Sequence, residues 1–514
     1  MATNWRTFPI EFKGGLISNL SPLQQGSNAI GSATILQNFE PARSGGYSKI
    51  LGYTKATNSI IPGTGRVLGV KVANIGEYVA ARSDGGSPSK TEYHRSSGTT
   101  WSSLGKAALL GGKIRSNEYN FGAGDFIIMV DGSNYPALFD DTNNTLSFIN
   151  SLSDLQGAEQ VAIFKTTVFF SKGSNLYFSA PSDSGDFSAA NGGGVINVSH
   201  DITGLIAFRD QLIVFSRNNI QRLSGTTLAD FQLNPITDGI GCLDPDTIQE
   251  VGGDIMYLSP DGIRLLGATD RIGDFSLEVA SDPIADDAYK FTQSTSNFCS
   301  IVIREKAQYR IFGYTQSEQK KVSRGLLVTK FSNQGASNLA WGETAGIKAF
   351  VADSKYTDYS ETIVFGNEDG YLYKMETGYS FDGDNIEAIY ESPYMPVSDP
   401  LIRKTFYKLT TYVDPKGSFS VDLSLKYDFT RYNNLEVLQP NVINITSSGV
   451  SVFEYGSSTA IYGTATYGGE LDKVYQNQIV GSGKTVSIRI EDNTTNPTFT
   501  LDTALLEFTQ NDRQ

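Results

Sequence analysis

Between Leu205 and Leu223 the chain reads LIAFRDQLIVFSRNNIQRL. Leu205–Phe208, Leu212–Phe215 and Ile220–Leu223 are short apolar runs, separated by Arg209-Asp210 and by Arg217–Asn219. Runs this brief, rich in Ile, Val and Phe, are too short for helices and read as an antiparallel meander. One meander cannot bury both of its faces, so it requires neighbours of the same kind.

The sequence supplies them. Aligned on the last strand of the unit, the cognate segments centre on Tyr93, Phe139, Phe178, Leu223, Leu266, Phe312 and Tyr373. All but the first follow a strand and a turn: DGSN at Asp131–Asn134, KGSN at Lys172–Asn175, RNN at Arg217–Asn219, SPDG at Ser259–Gly262, REKAQ at Arg304–Gln308 and NEDG at Asn367–Gly370. Gly, Asn and Asp tolerate positive φ, which gives most of these segments a hairpin mechanism. Four-strand units of about 40–45 residues are the signature of β-propeller blades, and a solenoid or a string of sandwiches fits the spacing less well. A longer interval before Tyr373 contains Lys320-Lys321, Gly325–Lys330 and Trp341-Gly342. An inserted loop or an extra strand pair is expected there, leaving six or seven blades.

Three parts are expected. Residues 1–60 lie outside the repeat and are too dense in turn residues for a core of their own, so they should run extended over the propeller and lend a strand that closes it. Residues 61–384 form the β-propeller. Residues 385–514 form a C-terminal β-sandwich-like domain: Phe419, Val421, Leu423, Leu425 and Tyr427 alternate with polar residues, as do Val486, Ile488 and Ile490. A polar insert at about 430–483 is too long for a connector and reads as a projecting hairpin or contact arm. The fold class is all-β, in keeping with 52 Gly, 26 Tyr and 29 Phe.

Bulk properties exclude several functions. A formal charge of −14 opposes a protein that grips phosphates. Apolar stretches such as Phe126–Val130 fall far short of the ~18 residues of a membrane span. The N-terminal MATNWRTFPIEFKGG has no signal profile, so a cytosolic product without an anchor is expected. Cys242 and Cys299 lack a C-x-x-C partner, and His94 and His200 are the only histidines, so buried free thiols are expected in place of a zinc site.

Taken in order, FKGGLISNLSPL, ILQNFEPARSGGYSKILGYTK, DITGLIAFRDQLIVFSRNNIQRLSG, IMYLSPDGIRLLG and FGNEDGYLYKMETG resemble the tail nozzle and packaged-DNA-stabilisation proteins of short-tailed phages. The likeness covers most of residues 10–430. It implies a β-propeller tail element, assembled as a hexameric ring below the portal and adaptor, that retains packaged DNA and opens at infection. It carries no catalytic residues. Adaptor protein, tail fibres or spikes and passing double-stranded DNA are the implied partners, and the virion tail, assembled in the host cytoplasm, is the implied location.

Individual motifs give way to simpler readings. Gly98-Thr99-Thr100-Trp101 is similar to the second half of the Asp-box turn of sialidase-type propellers, but Ser96 and His94 stand where the box has Asp and Ser. Gly481-Ser482-Gly483-Lys484-Thr485 matches the end of a P-loop but has Gln478 in place of glycine and a strand following, so a hairpin turn is expected. Gly63-Thr64-Gly65-Arg66 fails the dinucleotide fingerprint. Asp382–Asn385 and Asp140–Asn143 lack the closing glutamate of a calcium loop and read as Asx turns. His94 and His200 have no paired nucleophile, and Asp183/Asp186, Asp244/Asp246 and Asp286/Asp287 read as solvated turns. No catalytic, cofactor or metal residue is expected. The resulting expectation is a non-enzymatic virion structural protein whose acidic lumen repels DNA, gated by inward loops on Gly-rich hinges, with residues 430–483 as first candidate for assembly contacts. The alternative is a carbohydrate-binding or glycosidase-type propeller acting in host recognition.

Overall fold

Turn chemistry punctuates the chain into hairpins. At Lys172–Asn175 a two-residue turn places Lys172 opposite Asn175, with Gly173 at φ +56°. At Asp131–Asn134 the Asp131 carboxylate accepts from the backbone N–H groups of Ser133 and Asn134, at 3.0 and 2.8 Å, closing an Asx turn. The computed structural model describes residues 5–511 apart from 75, 123, 269–274, 296, 334–335, 358–359, 430–441 and 448–472.

The described chain is all-β in character and propeller-like. Six four-stranded antiparallel sheets, and the first four strands of a nine-stranded sheet, repeat one meander. In chain order the units begin at the strands Thr64–Asn74, Arg115–Tyr119, Gln160–Phe164, Ile202–Phe208, Gln249–Val251, Asn297–Ile303 and Val351–Thr357. They are called units one to seven below. Consecutive units pack face to face through apolar side chains: Tyr93 and Val79 against Phe139 and Met129, for example, or Phe178 and Leu176 against Leu212 and Leu223. The last unit packs back on the first, where Val364 and Leu372 meet Val67, Val72 and Tyr78. Side chains of alternating inward and outward pitch make this possible, since each sheet buries both faces.

Two details differ from the reading of the repeats. The aligned residues lie on the third strand of each unit, not the last, and Phe312 lies on the second strand of unit six, Gln308–Tyr314. The segment around Lys320–Gly342 is no insertion: Arg324–Asn333 and Ala336–Ala345 are the third and fourth strands of that unit. The additional residues instead form the helix Ala285–Ser294, which buries Ala288 and Phe291 and sets Phe291 against Phe298 at 5.7 Å. A two-residue alternation in unit six looked like its neighbours', so a register one strand out fitted the pattern equally well.

Residues 5–55 thread through the rest. Arg6–Glu11 pairs with Phe499–Gln510, and Ile35–Gln37 lies between Ala336–Ala345 and Ile386–Glu391. Phe39–Pro41 and Tyr47–Lys49 extend the sheet of Phe499–Gln510, while Tyr53–Lys55 becomes the fourth strand of unit seven. One helix, Pro22–Asn28, is started by a capping box between Ser21 and Gln24. The C-terminal strands form two sheets with a shared core that includes Phe406, Leu423, Ile488 and Leu506. Val474–Gly483, inside the expected insert, is a strand paired with Lys404–Tyr412. Residues 430–441 and 448–472 of that insert lie outside the described residues. The Gly481–Thr485 turn joins strands of different sheets, so it is a corner between layers where a hairpin was expected.

Buried charge fixes this threading. Arg310, with its side chain fully buried, reaches Glu40 at 2.9 Å and Glu376 at 2.8 Å, and Lys306 contacts the same two carboxylates at 2.5 Å each. The four residues come from the N-terminal segment, unit six and the end of unit seven. Lys49 and Asp492, both fully buried, pair at 3.1 Å across the C-terminal sheets.

Two predictions follow from these contacts. Tyr53 stacks on Phe381 at 5.0 Å, meets Phe365 and Tyr373 edge-on, and donates to the Gly346 carbonyl. Tyr53→Ala should lower stability by roughly 3–5 kcal/mol in denaturant titration, as for a buried aromatic truncated to a cavity. Burial pushes the Glu376 carboxyl up, but Arg310 and Lys306 outweigh it and hold it below its ordinary value. The contribution of a depressed carboxylate is present above about pH 4.3 and is lost as pH falls through the folded-state value. Glu376→Gln should therefore reduce stability at neutral pH and flatten the acid limb of a stability-versus-pH curve.

Candidate functional site

The first strands of the units lie beside one another, Thr64–Asn74 against Val351–Thr357 and Arg115–Tyr119 against Gln160–Phe164, and their charged side chains meet. Nearest the lead-in loops, Arg115 of unit two grips Asp246 with two donors, Nε at 2.9 Å and a terminal guanidinium nitrogen at 3.0 Å. Asp246 lies just before the first strand of unit five, so the pair crosses the middle of the array. Lys113 reaches Asp246 at 3.0 Å and the Phe298 carbonyl of unit six at 2.7 Å. Ser300 donates to the Asp246 carbonyl at 2.7 Å. Further along the strands, Lys71 of unit one pairs with Asp353 of unit seven at 3.0 Å and with Glu118 of unit two at 3.3 Å. Lys355 completes this second tier, with Glu118 at 2.8 Å and the Ala73 carbonyl at 2.8 Å.

The electrostatics are those of matched pairs. Burial pushes the Asp246 carboxyl up, yet Lys113 and Arg115 hold it below the usual carboxylate range. Asp244 goes the other way: burial and the neighbouring Asp246 charge raise it. Its side chain accepts from the Asp246 backbone N–H at 2.9 Å and so caps the short turn Pro245–Thr247. Lys71 and Arg115 are both raised, because their carboxylate partners outweigh burial. Lys71, Lys113, Arg115 and Lys355 face Glu118, Asp244, Asp246 and Asp353, so the tiers are formally neutral. Two carboxyls shifted in opposite directions are the electrostatic pattern of an acid–base couple. Here both are engaged by their neighbours, and none of the clefts described below is lined by either.

The other candidates scatter. His94 is buried, 3.9 Å from Glu92, and far in sequence and unit from the exposed His200. Gly98-Thr99 forms the tight turn between the strands Thr91–Ser97 and Thr100–Lys106, and the Trp101 indole donates to the Ser59 carbonyl at 3.2 Å. Asp140 accepts from the Asn143 backbone and side chain, Asp183 from Gly185, and Asp186 from Ser188 and Asn191. Asp286 pairs with Lys290 one helical turn on, and Asp382 pairs with Lys55 at 3.5 Å. Gly63–Arg66 begins the first strand of unit one, with the Arg66 guanidinium over the Phe350 ring at 4.2 Å. Among the described residues no group of three or more His, Cys, Asp or Glu could hold a metal ion. Cys242 and Cys299 are buried free thiols, each pushed up to about 12 by burial.

Two clefts were not legible in the sequence. One of about 660 Å³ lies between Phe12–Gly14, Asn28–Ile30, Pro41–Tyr47 and Phe331/Leu339. Another of about 370 Å³ is lined by Gln37, Asn38, Lys320, Asn385, Glu387 and Asn493 among others. Each draws on segments hundreds of positions apart, so no local motif marks either. The axial charges left little signal: Glu118 lies in RSNEY and Asp353 and Lys355 lie in VADSKYT, strands that are polar along most of their length, and only Lys71 interrupts an apolar run.

No protein-family model matches the chain, and no curated protein matches it. Among solved structures, the extracellular domain of a hybrid two-component system of B. thetaiotaomicron is similar at a TM-score of 0.38 and 10% identity. The likeness covers 63% of this chain and 43% of that one, so the chain spans under half the length of that protein.

Proposed function

We propose that this chain is a non-enzymatic structural protein of a short phage tail, the nozzle ring at its distal end. The seven four-strand units are its propeller blades, the strand Tyr53–Lys55 closes the ring of blades, and the C-terminal two-sheet domain packs against it. Six copies form a ring that retains packaged DNA and provides the conduit for its ejection. The adaptor binds above, and fibres or spikes bind at the rim.

The observation that carries this reading is the seal at the axis. Arg115, Lys113 and Asp246 join opposite sides of the blade array, and Lys71, Glu118, Asp353 and Lys355 join the first strands of units one and seven to that of unit two. A propeller that works on a small substrate needs an open, polar mouth where its blades converge. Here that place is filled by side chains that satisfy one another. The sequence motifs set out above support the same reading, because two of the segments that resemble the nozzle family, residues 35–55 and 365–378, supply the strands Tyr53–Lys55 and Leu372–Met375 that pair to complete unit seven. Excess acid then resides outside the neutral axial tiers, where a ring of copies repels a polyanion and leaves it free to slide. Assembly by a heterologous contact uses two different surface patches per copy.

The test is assembly. Purified chain at micromolar concentration should give closed rings by negative-stain imaging, and a mass near six times the 55.8 kDa chain mass by mass photometry. Fluorescence anisotropy should show no retention of duplex DNA at physiological salt. A protein that stays monomeric at all concentrations and releases sugars from a polysaccharide panel would sink the reading.

A further inference from the structure

The contact between unit seven and unit one differs from the others because the fourth strand of unit seven, Tyr53–Lys55, comes from the N-terminal segment and is held to its unit through the strand Leu372–Met375. Residues 56–63 leave the strand Tyr53–Lys55 on unit seven and run to Thr64 on unit one. They form a strap tied to both sides. The Ala56 and Ile61 backbone N–H groups donate to the Leu372 and Gly370 carbonyls, at 2.8 and 2.9 Å. On unit one, Trp101 Nε1 donates to the Ser59 carbonyl and an Arg82 guanidinium nitrogen donates to the Ile61 carbonyl at 2.7 Å.

His94 sits in this seam. Strand register places it opposite Ala80 and Ser103, which puts its ring on the face where Ala80 packs with Ile61, Val364 and Leu372. The residue is 1% exposed, and neither ring nitrogen has a hydrogen-bond partner among the described residues. The charged groups around it are Glu92 on its own strand, Arg82 on the second strand and Lys106 on the fourth. Asp84 occupies Lys106, and Asp369 of unit seven faces Arg82. The Glu92 carboxylate is already engaged by the Ser103 hydroxyl at 2.7 Å and by Lys106 at 3.5 Å. An imidazolium here would meet two cations and one shared carboxylate while buried from bulk solvent.

We propose that His94 is an acid-sensitive latch: a proton taken from solvent onto a ring nitrogen loosens the 56–63 strap and lets the outer strands of units one and seven separate, while the Lys71–Asp353 pair holds their first strands together. Burial is the largest influence on the ring and keeps it neutral, below its ordinary titration range. A histidine depressed in the folded state favours the closed seam fully above about pH 6.5, and that preference is lost as pH falls from there to the folded-state value. A single proton changes the open-to-closed ratio by at most about tenfold per pH unit.

The chain has two histidines, so full-length protein labelled at the histidine ring carbon gives two signals, with exposed His200 as the internal reference. The His94 signal should titrate below the ordinary imidazole range. Amides of 56–63 and 91–97 should exchange several-fold faster at pH 5.0 than at pH 7.5 after correction for intrinsic rates, while those of the unit two–three contact do not. His94→Gln should abolish the acid-dependent part alone. The proposal is overturned if the His94 signal titrates at the ordinary imidazole midpoint, if exchange rises equally at every contact, or if the increment survives in His94→Gln. Should that variant fail to fold, titration and exchange on the unaltered chain still decide, since the two must move over the same pH range.

Discussion

Two carboxylates and two cations, Glu40, Glu376, Arg310 and Lys306, meet in the interior where the N-terminal segment joins units six and seven. Charges out of water are costly, and well-packed apolar residues of equal size often stabilise as much as a buried ion pair does. What the quartet adds is register. If the strand Phe39–Pro41 slips by one residue, Glu40 moves to the opposite face and leaves Arg310 with one partner in a site closed to water. The same logic holds for Lys49 and Asp492, where burial drives the lysine down and the carboxyl up while each restrains the other. Apolar contacts tolerate sliding by a methylene group; a bare buried charge does not. The threading of residues 33–55 through two bodies is specified by these pairs more than by the short strands themselves, each only three residues long.

That threading explains why the sheets are continuous across what the sequence divides. Ile35–Gln37 runs parallel to Ala336–Ala345 and antiparallel to Ile386–Glu391, making one nine-stranded sheet from unit six and the C-terminal layer. An outer strand that ended at Ala345 would present a free edge of ten residues, a template for unwanted pairing. The N-terminal strand covers part of it. Trp341, on Ala336–Ala345, is buried, and its indole donates to the Ala280 carbonyl of unit five. The N-terminal segment thus closes one sheet, splices a second and extends a third.

Much of this was readable before any coordinates, and the physical reason is local. A hairpin turn needs Gly, Asn or Asp within two or three residues of a strand end, so Lys172–Asn175 and Ser259–Gly262 announced themselves. Alternation every two residues exposed the long strands at 420–427 and 486–494. Strand order within a unit was less legible, because a two-residue period is the same in the second strand as in the third; Phe312 was therefore placed one strand out. The helix Ala285–Ser294 went unread since its first turn, with Asp286 and Asp287, looked like another acidic loop. Axial pairs such as Arg115 with Asp246 were beyond local reasoning altogether. They are 131 positions apart, and a lone charge in a strand carries no label for its partner.

On the proposed reading, the neutral tiers also decide where DNA can pass. Arg115 and Asp246 close the middle of the blade array with a bidentate pair, the strongest arrangement a carboxylate and a guanidinium make. Opening it strands two desolvated charges for every pair broken, which no passing polyanion compensates, since phosphate competes for the arginine and repels the aspartate. The tiers tie side chains and carbonyls of units one, two, six and seven and the lead-in to unit five to one another. On that reading a conduit runs between copies, while each copy's own centre stays closed. The second tier crosses the unit one–seven contact at the first strands, through Lys71 and Asp353, so movement at that seam is confined to its outer strands, where Ala56, Ile61, Trp101 and Arg82 tie the 56–63 strap by hydrogen bonds.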